Sequence, residues 1–202
     1  MTLGQLLAFN VALLFAIASP GPALLMAVQT TLRSGRAAGI AVGAGLGSMA
    51  ATWTLLAAGG LGLVFERLPW LYGSMRAAGA LYLFYLAYRM WTSAAKPPRA
   101  RAAPHQRAFL TGILINLSNL KSVLFAAAVI VAIFPAGLSQ ANGLVIVANH
   151  LLVEIVFYTT LAFCMSTQAV VARYMRARLY IDRAAASILG ALGLWIAVSA
   201  FM

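Results

Sequence analysis

Few side chains in this sequence can do chemistry, and those few interrupt chain that is otherwise apolar. Asn116-Leu117-Ser118-Asn119-Leu120-Lys121 gathers two amides, a hydroxyl and an ammonium inside one hydrophobic run. An ionisable group inside an apolar span is costly and usually faces a cavity. His150 and Glu154 stand four residues apart, which places them on one face of a helix. Such a pair could pass a proton between two states. Ser19-Pro20-Gly21-Pro22 breaks a third apolar run. Pro20 and Pro22 lack N–H groups, so the carbonyls of Ala16 and Ala18 lose their helical partners. Gly21 adds backbone freedom.

The elements that must position these groups follow from composition. The 202 residues are 63% hydrophobic and 8% charged. A soluble domain carries roughly 25% charge, because water must wet its surface. A mean hydropathy of +0.94 agrees with a chain made for lipid. Lys, Arg, Asp and Glu are absent from residues 1–32, 37–65, 122–153 and 184–202. A helix needs about 20 apolar residues to cross a bilayer. Hydropathy and breakers predict six spans, at Leu3–Val28, Ala38–Val64, Leu71–Trp91, Phe109–Phe134, Leu144–Gln168 and Ala184–Phe201. Backbone polar groups must be satisfied within lipid, and continuous apolar runs rather than alternating ones select helices over barrel strands. The fold class is therefore an all-α polytopic membrane bundle.

Net charge is +11, which in a soluble protein would point to nucleic acid. In a membrane protein it encodes orientation. Eleven of the 14 basic residues fall at three alternate connections: Arg33 and Arg36; Arg89, Lys96, Arg99, Arg101 and Arg107; and Arg173, Arg176, Arg178 and Arg183. This bias predicts those connections in the cytoplasm and both termini outside. Residues 1–10 lack the basic n-region of a signal peptide, so the first apolar segment is read as a retained span.

Both interrupted runs open a half of the chain, residues 1–95 and 108–202, joined by a Pro-containing basic linker at 96–107. Three spans per half would insert the halves with opposite orientation. That is the pattern of an inverted repeat with its binding site at broken helices. Gly39, Gly43 and Gly47 form a stripe for close helix packing, and Gly45 adds to it. Arg76 is read as snorkelling to the outer surface, and Tyr82, Tyr85, Tyr88 and Trp91 as an interfacial aromatic belt. Cys164 is read as a packed apolar residue, and as the only cysteine it excludes an intramolecular disulfide. For His150 and Glu154 an interfacial position with an Arg or Lys partner stays open beside the proton role.

These residues resemble the lysine exporter / RhtB-type amino-acid efflux family. The likeness rests on Ser19-Pro20-Gly21-Pro22, Ser34-Gly35-Arg36 leading into Gly39, Gly43 and Gly47, and Gly79-Ala80-Leu81-Tyr82-Leu83 with Tyr88-Arg89. It continues through Phe109 to Gly112 and then Asn116-Leu117, Asn119 and Lys121, so that it covers nearly the whole chain in order. The resemblance implies export of amino acids or close derivatives across the bacterial inner membrane, driven by protons. It also implies six hydrophobic segments. The chain departs from the family pattern where Leu120 replaces a proline, where Ser48 stands in place of an acid, and at Val131-Ala132-Ile133. A milder break in span four is expected, and more weight falls on Glu154.

On this reading Ser19, Pro20, Gly21, Pro22, Asn116, Asn119 and Lys121 bind substrate, and Glu154 with His150 carries the coupled proton. Lys121 and N–H groups at a half-helix start would take the carboxylate. Freed carbonyls, Asn116 and Asn119 would take the ammonium. No cofactor is expected, and the partners are the amino acid, the proton, the bilayer and a second copy of the chain. A membrane-embedded enzyme is poorly supplied: Ser48 lacks a nucleophile motif, and 2 His with 3 acids make a weak metal site. A cation exporter suffers the same shortage of ligands. A non-transporting scaffold would have no use for Pro20-Gly21-Pro22, Asn116 and Lys121 in its interior.

Overall fold

Helices begin and end where the polar and breaking residues fall. The computed structural model describes residues 1–19, 21–67, 107–134, 138–165 and 167–200, with Ser74, Ala77, Ala80, Leu81, Leu83, Phe84, Tyr85, Ala87, Tyr88, Trp91 and Thr92. Pro20, Arg76, Gly79, Tyr82, Arg89 and the linker up to Gln106 lie outside the described residues. Among the described residues every regular element is a helix.

Helix α1 (Leu3–Ala18) starts in a capping box: Thr2 Oγ1 accepts from the Gln5 N–H at 3.2 Å, and Gln5 Oε1 accepts from the Thr2 N–H at 2.8 Å. It stops at Ser19, whose backbone is extended. Helix α2 (Pro22–Ser34) then begins with Pro22 in its first turn, where a missing N–H costs nothing. The two axes meet at 61°. Gly35 closes α2 at φ 87°, in the left-handed region that a side chain disfavours. Helix α3 (Arg36–Arg67) follows, and the described residues from Ser74 to Thr92 are helical too.

Helices α4 (Ala108–Leu117) and α5 (Leu120–Ile133) form a second bent pair, at 63°. Without the family proline the second break persists, and its bend matches that of the first pair. Ser118 and Asn119 supply it instead. Asn119 turns extended, at φ −90° and ψ 90°, and its carbonyl accepts from the N–H groups of Ser122 and Val123. Ser and Asn favour caps over helix interiors, so the pair stops one helix and starts the next.

Helix α6 (Gln140–Cys164) is capped by Ser139, and α7 runs from Gln168 to Ala200. The basic stretch Arg173–Arg183 was expected to be a connection before a span at Ala184; it is helical throughout. Asp182, Ala185, Ala186 and Leu189 are all buried, so one inward stripe at helical spacing carries α7 through that stretch.

Helix α3 lies at the centre, against α2, α4, α5 and α6. Its glycines make this possible. A Cβ at Gly45 would collide with the Phe109 carbonyl of α4, and one at Gly112 with the Val42 carbonyl of α3. The predicted stripe also packs closely: Gly39 abuts Thr31, Gly43 abuts Tyr158, and a Cβ at Gly47 would come within 2.8 Å of Glu154 Cβ. Two buried clusters result. One gathers Phe9, Leu13, Phe125, Val129, Ile146 and Leu189, and the other Leu24, Val28, Val42, Leu46, Tyr158 and Leu161.

The outer faces are apolar as well. Leu7, Val11 and Leu14 on α1, Leu110 and Leu114 on α4, and Leu144, Leu152 and Val156 on α6 are exposed. Helices apolar on all sides suit lipid rather than water. Among the described residues, Arg36–Gly59 and Gln140–Cys164 are each long and apolar enough to cross a membrane, and each bent pair supplies one more if it counts as one span. Tyr85, Tyr88 and Trp91 are exposed, as an aromatic belt requires. Cys164 corrects its expectation: at the end of α6 it is exposed rather than packed in the core.

Candidate functional site

The two helix breaks meet inside the bundle. Their ends and the middle of α6 line one cavity of about 50 Å³ between the two buried clusters. Ser19, Gly21 and Pro22 come from the first break, Asn116, Asn119 and Lys121 from the second, and His150 and Glu154 from α6. Every predicted binding or proton-coupling residue among those described therefore faces a single space; Pro20 lies outside the described residues. The cavity has room for a few waters.

The first break exposes the Ala16 carbonyl, as the prolines dictate, and Lys121 Nζ donates to it at 2.8 Å. The ammonium of one broken helix thus satisfies the backbone of the other. Lys121 does not snorkel to an interface. It lies within electrostatic range of both Asp182 and Glu154.

Glu154 and His150 are both 3% exposed, so both lie inside the bundle. His150 Nε2 lies 3.4 Å from Glu154 Oε1, an ion-pair distance without hydrogen-bond geometry. On the other ring nitrogen, Thr54 Oγ1 of α3 sits 2.7 Å from His150 Nδ1. That bond holds the ring, and because a hydroxyl can donate or accept it suits either tautomer. Phe9 packs edge-on against the imidazole with centroids 5.6 Å apart. Asn116 donates through Nδ2 to the Leu46 carbonyl of α3 at 2.9 Å. The close approach of Gly45 and Gly112 is what brings that carbonyl within reach.

Three contributors were not among the predicted site residues. Thr54 and Tyr158 look like ordinary span residues in the sequence, and only the packing of α3 on α6 gives them a role. Asp182 was hidden among arginines. It is 2% exposed, and Ser19 Oγ donates to its Oδ1 at 3.1 Å across 163 positions. The sequence holds one clue: Asp182 starts the apolar series Ala185, Ala186, Leu189 at helical spacing.

Asp182→Ala should leave the Ser19 hydroxyl without its acceptor and remove a carboxylate near Lys121. A hydrogen bond to a buried charge contributes about 1.5–3 kcal/mol. The melting temperature in detergent should fall by roughly 5 °C or more at about 2–4 °C per kcal/mol. An unchanged melting temperature would show that the contact contributes nothing.

No metal-holding group of three or more His, Cys, Asp or Glu occurs among the described residues. The site brings together two broken helices, one ammonium, two carboxylates and an imidazole inside helices with apolar outer faces. Comparison with known proteins decides the family. A profile described as LysE type translocator matches residues 14–200. The chain belongs to the LysE-type translocator family. That makes it a member of a transporter family rather than an enzyme family. A threonine efflux protein of Salmonella typhimurium is 28% identical, over 96% of this chain and 99% of its own length. A homoserine/homoserine lactone efflux protein of the same organism is 30% identical over 71% of this chain and 73% of its own. A leucine efflux protein of Klebsiella pneumoniae is 24% identical over 91% and 88%. No solved structure matches this LysE-type chain.

Proposed function

We propose that the protein exports amino acids or close derivatives across the bacterial inner membrane, in exchange for protons, by alternating access. The observation that carries this reading is the convergence of both helix breaks and the His150–Glu154 pair on one buried cavity. Efflux relatives named for threonine, homoserine and leucine support the cargo class. An amino acid brings a carboxylate and an ammonium, and the cavity offers groups for each. The Lys121 ammonium, seated at the Ala16 carbonyl, and the N–H groups at the start of α2 make that end of the cavity the one for the carboxylate. Asn116, Asn119 and Glu154 face the amine end.

Each half opens with a bent pair, α1/α2 and α4/α5, followed by a long helix, α3 and α6. This repeat of form supports a six-span inverted repeat split at 1–95 and 108–202. Arg36 stacks on Phe163 at 5.5 Å and Arg183 on Trp91 at 5.2 Å, which gathers basic residues from separate connections beside aromatic ones. That supports a cytoplasmic basic side with both termini outside.

The test is export from proteoliposomes loaded in turn with threonine, homoserine and leucine. An imposed proton gradient should accelerate efflux of at least one, and an uncoupler should abolish the acceleration. Lys121→Ala and Glu154→Gln should each reduce it by tenfold or more, about 1.4 kcal/mol of lost interaction. If both variants match the unaltered protein, the site assignment is wrong. If no amino acid moves faster than from empty liposomes, the cargo class is wrong.

A further inference from the structure

The unfilled groups in the cavity are of one kind. Asn116 Oδ1, Glu154 Oε2 and His150 Nε2 are buried without a hydrogen-bond partner, and all three residues line the cavity. Asn116 cannot turn its amide round, because Nδ2 is held by the Leu46 carbonyl. Its oxygen therefore faces the cavity by construction. The other Glu154 oxygen, Oε1, lies 3.4 Å from His150 Nε2. With Thr54 on Nδ1, His150 Nε2 is an acceptor whenever Nδ1 carries the proton. The cavity thus presents up to three fixed acceptors at residues each 3% exposed. Leaving buried acceptors unpaired is unfavourable, so the arrangement selects a group rich in donors. A primary ammonium has three N–H donors and a positive charge.

We infer that the substrate ammonium binds directly on Glu154, braced by Asn116 Oδ1 and His150 Nε2, so that proton and substrate compete for the same carboxylate. This deepens the reading above and rests on it. Exchange then needs no separate coupling site. Protonated Glu154 loses its proton to water as the R–NH3⁺ group arrives, and the carboxylate–ammonium pair replaces the O–H bond. On the other side of the membrane an incoming proton restores the acid and expels the amine. A cavity holding both ligands, or neither charge, is disfavoured in a low-dielectric interior.

Few other charges bear on Glu154. On α6 it has His150 and, one turn on, Tyr158; from α5 comes Lys121, and from α7 Asp182 acts through Lys121. Helix α3 brings Gly47 and Thr54, which carry no charge.

The experiment measures proton release when purified protein in weakly buffered detergent solution binds L-threonine, L-homoserine or L-leucine. In the acid range where Glu154 takes up its proton, up to one proton should appear per amine bound, with apparent affinity weakening about tenfold per unit of falling pH. N-acetyl-threonine, which lacks the ammonium, should release none. Glu154→Gln should abolish both release and pH dependence, while His150→Gln should keep the release with weaker binding. Binding without proton release in the unaltered protein overturns the inference and leaves the amino-acid reading standing. Release that survives Glu154→Gln and is lost in His150→Gln overturns it in favour of the imidazole. If only ethanolamine, an amine without a carboxylate, displaces the proton, the inference stands and the amino-acid reading falls. If neither amino acids nor ethanolamine displace a proton, both fall.

Discussion

Lys121→Met should abolish transport and destabilise the protein by about 3–5 kcal/mol, the cost of removing one partner from a buried charge group. The reason is local. Lys121 satisfies the Ala16 carbonyl at the first helix break and offsets the charges of Glu154 and Asp182. Without it the carbonyl and two buried carboxylates lose their common partner. The double variant Lys121→Met with Glu154→Gln should regain part of the stability, because one unbalanced carboxylate is gone, and should regain no transport. Denaturant titration in detergent, alongside efflux from proteoliposomes, reads both effects. A single variant as stable as the unaltered protein would show that Lys121 is not the charge that holds the breaks together.

Gly112→Val should disable the protein from a position outside the cavity. A Cβ there would meet the Val42 carbonyl and come within 2.9 Å of the Leu46 N–H nitrogen. Both are backbone atoms of α3, and they cannot rotate aside as a side chain can. Helix α4 must move away, and the Asn116–Leu46 hydrogen bond goes with it. Overpacking costs about 1–3 kcal/mol, and the lost bond about 1 kcal/mol more. Asn116 would then be free to turn its amide and lose its fixed acceptor. Gly59→Ala is the control, since a Cβ at Gly59 meets nothing within 4 Å. Thermal melts and efflux should separate the two variants clearly. If Gly112→Val behaves as Gly59→Ala does, the close contact of α3 with α4 does not set the site.

The likeness of the two bends has a lesson for reading proline. In the first pair the missing N–H groups of Pro20 and Pro22 made a break legible at once. In the second the family proline is absent, and a gentler path was expected. Ser118 and Asn119 still produce a 63° bend. A backbone turn at Ser118 and Asn119 therefore makes the break without a proline, and Asn116, anchored to α3, holds the end of α4 in place.

By itself the sequence determined that this protein is a bundle of membrane helices, because a chain with 8% charge cannot be wetted by water. It also marked where the bundle is broken and drew attention to Lys121, His150 and Glu154 within it. Proline chemistry and the cost of a charge in lipid act at the residue concerned, so they can be read without knowing the neighbours. It did not determine the partners. Lys121 was matched to a substrate carboxylate, while the fold brings it to the Ala16 carbonyl. Asp182 stands among arginines in the sequence, while the inward stripe of α7 buries it against Ser19. Thr54 became the anchor of His150 only when the glycines of α3 let α6 approach. Such pairings join residues separated by 96 to 163 positions, and nothing local encodes them. Tertiary packing alone decided which acceptors stay unfilled, and those are the groups on which the proposed exchange of amine for proton rests.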